Sequence, residues 1–199
     1  MQIHQFQVSY LAEQDRILVR MNSTDGHEQR LWFTRRMLLG LYPHLEQTSA
    51  QLTIADASPV GHDGAAGEAV QAFQRQETLE RADFDTPFQS SQPVFGDADQ
   101  PLLVTTAHIQ KHGNSMLSVR FEESLPGMAE SRQLEIQMGS DTLIGLLHVI
   151  RLALQNSDWG TQPASANPPQ PTHTIVIETD AQESDWGAFA SLEPPKYLN

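Results

Sequence analysis

The chain of 199 residues carries 25 acidic against 12 basic side chains, a net charge of −13, with 39% hydrophobic residues and no cysteine. That length suits one domain or two small repeats sharing a core, and the modest apolar share implies that part of the chain does not pack. The missing cysteines exclude disulfides, thiolate metal sites and cysteine nucleophiles, while the start, MQIHQFQVSY, lacks the basic and apolar regions of a signal peptide and no apolar run is long enough to span a membrane, so a cytoplasmic protein without membrane contact is expected.

Residues 3–11 alternate, with Phe6, Val8 and Tyr10 on one face and Gln5, Gln7 and Ser9 on the other, the pattern of a half-buried strand. Residues 16–22 repeat it, with Ile17, Val19 and Met21 opposite Arg16, Leu18 and Arg20. An Asp25-Gly26 pair favours a tight hairpin turn before a third strand over 28–34, where Leu31 and Phe33 face inward and Arg30 and Trp32 outward. Thr34 is placed to cap a helix over 36–47, carried by Met37, Leu38, Leu41, Tyr42 and Leu45, which Pro43 is expected to kink or shorten.

An acidic insert follows over 49–101. Residues 65–82 read as a charged helix whose apolar anchors are Val70, Phe73 and Leu79, between loops at 55–64 and 83–101. The first grammar then returns. Residues 102–111 read as a strand. Residues 115–122 give another, with Leu117, Val119 and Phe121 on one face, and 131–138 a third, with Leu134, Ile136 and Met138. Gly139-Ser140-Asp141 then opens a helix over 141–156 carrying Leu143, Ile144, Leu147, Ile150 and Leu154. Beyond it, QPASANPPQPTHT is a proline-rich linker to an acidic, aromatic tail, in which TIVIE at 174–178 has the composition of an edge strand.

The expected fold is therefore α+β: two antiparallel β-meanders each followed by a helix, a βββα pseudo-repeat within one domain over 1–157. The units cover 1–48 and 102–157, separated by a helical insert and followed by a disordered tail over 158–199. The expected core includes Val8, Ile17, Val19, Leu31, Phe33, Leu38, Leu41, Leu117, Val119, Ile136, Leu143, Leu147 and Ile150. The acidity sits in the insert, at −7 over 47–101, and in the tail, at −5 over 158–199, so both periodic blocks are nearly neutral.

Chemical motifs are sparse. The chain has no phosphate-binding glycine loop, dinucleotide fingerprint, zinc-protease pair or nucleophile elbow. His108 and His112 fall on a strand and its turn, His148 flanks the last helix as a hydrogen-bonded edge residue, and Glu122 and Glu123 point to opposite faces. No catalytic residue, metal site or cofactor is expected.

The densest stretch is RLWFTRR, residues 30–36. Arg16, Arg20, Arg30 and Trp32 share the outer face of the first sheet, with Arg35 and Arg36 at the strand–helix junction. Arginine interleaved with an aromatic on a sheet face suits stacked bases and phosphates. Over residues 3–156 the tandem sheet-plus-helix order resembles, in architecture, the whirly and PUR-type single-strand binders, which implies a single-stranded nucleic-acid ligand on that face. Those folds carry four strands per repeat where three are counted here, and the second block offers Thr106, His108, Ser118, Arg120, Gln133 and Glu135 outward, without an aromatic.

The bland reading of the same face is that the insert or a second subunit covers Trp32 and Leu18 and that the arginines pair with local acids. The tail suggests a third use of the chain. SDWG occurs at 157–160 and again at 184–187, which makes Asp158, Trp159, Asp185, Trp186 and Phe189 a candidate docking peptide, for a partner or for the chain's own basic face. The expected function is a non-catalytic adaptor or regulatory protein with a protein partner, or a homodimer. Single-stranded nucleic-acid binding is the alternative and an unrecognised enzyme the third reading.

Overall fold

The computed structural model describes residues 3–57, 64–90, 92–93, 100–113, 116–159 and 174–178. Three strands, β1 (Ile3–Leu11), β2 (Arg16–Ser23) and β3 (His27–Thr34), form an antiparallel meander in which Val8 faces Val19 and Val19 faces Leu31. A single 3-10 turn joins β1 to β2 and is closed by Asp15 at φ 48°, a left-handed conformation that aspartate tolerates better than most residues. The loop to β3 has three residues, and its last, Gly26, takes φ 82° while donating to the Ser23 carbonyl at 3.1 Å. A residue with a Cβ is disfavoured in that conformation, so glycine ends the turn.

The expected cap forms: the Met37 amide donates to Thr34 Oγ1 at 3.3 Å. Helix α1 then runs from Arg35 to Ala57, past Pro43 and ten residues beyond the expected end at 47. The ring removes one hydrogen bond, but Pro43 lies on the exposed side, and the stripe Leu38, Leu41, Leu45 and Leu52 continues into the core. Burial of that stripe outweighs the roughly 3 kcal/mol cost of an interior proline. Helix α2 (Gly64–Arg81) matches the expected 65–82 within a residue. Its expected anchor Phe73 instead points outward, 69% exposed, whereas Thr78 is buried and its hydroxyl donates to Asp141 Oδ1 at 3.2 Å.

The chain returns along β3 in two short parallel strands, β4 (Gln92–Pro93) and β5 (Leu102–Leu103). The single strand expected over 102–111 divides here. Val104 still donates to the first sheet, at the Trp32 carbonyl (3.0 Å), whereas Thr105 donates to Glu122 of the second sheet (2.9 Å). Val104 and Thr105 are both buried, which strict alternation forbids, because the backbone turns between two sheets at that step. The second meander follows: β6 (Thr106–His112), β7 (Met116–Glu123) and β8 (Arg132–Gly139), with Ile109 facing Val119 and Val119 facing Ile136. Strand β9 (Thr174–Glu178) adds in parallel to the free edge of β6. TIVIE is therefore a sheet strand, while the proline-rich linker and the remainder of the tail lie outside the described residues.

Helix α3 (Ser140–Gln155) closes the second unit and touches α1, α2, β1 and β8. Gly145 permits the close approach to β1, because a Cβ there would lie 3.2 Å from the Phe6 ring. One core spans both units, with Phe33 and Phe121 edge to face at 5.6 Å. Every expected core residue is buried except Val8, which is half-buried.

The folded body extends past the expected boundary at 157. Trp159 is 2% exposed, meets Tyr10 edge-on at 5.6 Å and donates its indole N–H to Asp15. Arg35 donates to the Trp159 carbonyl at 2.8 Å. The first SDWG copy is thus not a free docking peptide: its tryptophan is core and its Asp158 exposed beside it. Trp159→Ala is expected to cost about 3–5 kcal/mol of stability in urea unfolding, and Asp158→Ala less than about 0.5 kcal/mol.

Candidate functional site

Strand pairing brings Arg16, Arg20, Arg30 and Trp32 onto one outer face, with Arg20 opposite Arg30 and Trp32 opposite Leu18 on one side and Leu103 on the other. What the sequence reading missed is Glu28, two residues before Arg30 and so on the same face. Its side chain is fully buried and takes hydrogen bonds from Arg20 Nε at 2.8 Å and Arg30 Nε at 2.7 Å. The insert then covers this end of the sheet. Arg20 donates to Ser90 at 2.8 Å and lies 4.4 Å over the Phe88 ring, and the Gln5 amide bonds the backbone of Pro87 and Gln89. Asn22 donates to the Gln89 carbonyl. Arg35 is occupied by Trp159 and Arg36 is exposed at the start of α1. The face is thus an internal ion-pair cluster at one end and a half-buried apolar row, Leu18–Trp32–Leu103, at the other. Asp185, Trp186 and Phe189 lie outside the described residues.

The outer face of the second sheet is polar. His108 lies 3.8 Å from Glu122, and His112 Nε2 lies 3.0 Å from Ser118 Oγ, which donates to Glu135 at 3.4 Å. Ser118 Oγ thus lies between an imidazole and a carboxylate. Glu123, on the opposite face, pairs with Arg132. Among the described residues no three histidines or carboxylates converge as metal ligands.

A concavity of about 1120 Å³ lies elsewhere, between β1, the end of α2, the segment 83–88 and α3. Phe6, Val8, Tyr10, Phe84, Val149 and Leu152 contribute apolar surface, and Phe84 and Leu152 are each 44% exposed. Asp83, Asp85 and Asp141 stand at its walls with Arg81, His4 and His148. Asp83 Oδ1 accepts the Asp85 and Thr86 amides at 3.0 Å and its Oδ2 accepts the Thr86 hydroxyl at 2.5 Å. These bonds, the Thr86 hydroxyl foremost, hold its carboxyl below the usual range, so it is ionised at neutral pH. Burial, with Arg151 as a lesser cause, keeps the His148 imidazole below the ordinary histidine value; its ring takes an Arg151 hydrogen bond at 3.4 Å and lies 5.1 Å from Phe84. The segment 84–90 is therefore a strap, fastened to α3 through Phe84 and to the outer sheet face through Phe88, Gln89 and Ser90.

Sequence reasoning assigned 83–101 to loop and passed over this cleft. The available signals were the Asp83–Thr86 turn, ADFDTPF, and the rank of β1 as first strand of a meander, which leaves it at an edge.

Two measurements follow from this geometry. Glu28→Gln removes the buried carboxylate that Arg20 and Arg30 share and is expected to lower stability by about 3 kcal/mol in urea unfolding. In an NMR titration His148 is expected to protonate below the ordinary histidine range, and Arg151→Ala to raise its midpoint without restoring it fully, since burial remains. With the folded value depressed, stability is full above the unfolded histidine value and falls as pH drops through that range.

Comparison of the chain with protein-family models, with curated proteins and with solved structures finds no match.

Proposed function

We propose that this chain is a non-catalytic interaction protein, an adaptor or regulator, that receives part of a protein partner in the cleft along β1. The observation that carries the reading is the cleft's composition. A concavity of about 1120 Å³ exposes aromatic and aliphatic side chains from three separate elements, and His148 at its wall faces an arginine and a phenylalanine rather than a group it would activate. The proposed setting is the cytoplasm; among the described residues no helix is long and apolar enough to cross a membrane. A homodimer is less favoured than a different partner, because two chains of net charge −13 repel. Single-stranded nucleic acid also draws less support, since Arg20 and Arg30 already share Glu28 and the strap lies on Arg20.

The test captures partners from native lysate on the full chain and on Leu152→Asp, an exposed cleft position outside the core, beside a single-strand gel shift at two salt concentrations. The expected result is a captured protein depleted at least about tenfold by the substitution, with no salt-sensitive shift; a loss of about 1.4 kcal/mol suffices for that factor. Capture indifferent to Leu152→Asp overturns the cleft as the binding surface. An oligonucleotide shift abolished by Trp32→Ala and Arg20→Ala restores the nucleic-acid reading.

A further inference from the structure

Eight consecutive residues of β1, Ile3 to Tyr10, line the cleft. Side chains in a strand alternate between faces, so a cavity lying against one face meets every second residue. A run without gaps means that the cavity opens onto the strand's edge, where the main chain itself is presented. Among the described residues β1 is the terminal strand of its sheet, paired with β2 alone. The edge is long, about 25 Å at roughly 3.3 Å per residue. Natural proteins rarely leave such an edge bare, because its unpaired N–H and C=O groups template another strand. No proline, lysine or carboxylate interrupts IHQFQVSYL, and the described cover is the strap, which bonds the strand through the Gln5 side chain.

We infer that the cleft takes an extended peptide segment of alternating apolar and basic residues, which joins the free edge of β1 as a further strand. The inference rests on the proposed role of the cleft as a protein-binding surface and names what enters it. Main-chain pairing to β1 supplies affinity, and alternate side chains supply specificity. One set of ligand side chains turns inward, toward Phe84, Val149 and Leu152. The other set meets walls bearing Asp83, Asp85 and Asp141 against a single arginine, Arg81. That charge balance selects lysine or arginine on the partner and discourages a second copy of this acidic chain. The 84–90 strap, fastened on both sides of the cleft, closes over the incoming strand.

The probe is a capped nine-residue peptide of alternating lysine and valine, measured by calorimetry against the full-length protein, beside its glutamate–valine counterpart and two N-methylated forms. Each N-methylated form blocks one alternate set of ligand amides. In strand addition to a single edge only one set of amides faces β1. Methylation of that set is expected to weaken binding at least about tenfold, the other set less than about twofold. The glutamate peptide is expected to bind at least about tenfold more weakly than the lysine peptide, and Asp85→Asn to weaken the lysine peptide about two- to fivefold. Equal sensitivity to both methylation sets overturns strand addition. Equal binding of the two charge forms, or no binding of either, overturns the ligand class. Sedimentation as a dimer that the lysine peptide does not dissociate assigns the edge to a second copy and likewise overturns it. If the peptide fails while lysate capture still depends on Leu152, this inference alone falls; if both fail, the cleft itself is not the binding surface.

Discussion

The architecture depends on the step between Val104 and Thr105. There one extended segment leaves the first sheet and enters the second, with successive amides donating to Trp32 and to Glu122. The Thr105 hydroxyl fastens the corner, donating to the Glu122 carbonyl at 3.0 Å and accepting the Ser124 amide at 3.0 Å. Both amides and the hydroxyl at this buried corner thereby find partners, as buried polar groups require. Because the two sheets are joined through consecutive residues, their apolar faces enclose a common core, and Phe33 can meet Phe121. Helix α3 ties the two units together, touching β1 of the first sheet, β8 of the second and α1.

The insert is fixed to this frame by polar contacts and by a few half-buried apolar ones. Its helix α2 leaves Phe73 in solvent and docks through Thr78 and half-buried Val70 and Leu79. Its strap is held by Arg20, Gln5 and Asn22 on the sheet and by the Phe84–His148 contact on α3. Few buried apolar contacts make a segment the readiest to open locally. Of the two sides of the cleft the strap is thus the more easily displaced, while the β1 edge opposite it is held by β2 and by Phe6 against Gly145.

The candidate site was only partly legible in the sequence. The shared face of Arg16, Arg20, Arg30 and Trp32 follows from period-two alternation and is present as expected. Its role changes because Glu28, from the same alternation, supplies the counter-charge and residues 88–90 lie over Arg20. Alternation gives the face a residue occupies but not the residue that neutralises it. The cleft was not legible at all. Its walls come from positions 3–10, 78–88 and 141–156, segments far apart in sequence that share no common period.

By itself the sequence determined the strands of both meanders, the turn at Gly26, the Thr34 cap, α3 and the burial of every core position it named except Val8, because these rest on local periodicity and capping chemistry that repeat within a few residues. Only the tertiary structure decided four things. α1 runs through Pro43 because its far stripe is buried. Residues 102–112 divide between two sheets because both sheets need that edge. TIVIE forms a strand because β6 offers it a free edge. Trp159 is core because Tyr10, Asp15 and Arg35, all more than a hundred residues earlier, surround it. In each case the deciding partner lies far along the chain, where neither propensity nor spacing carries any record of it.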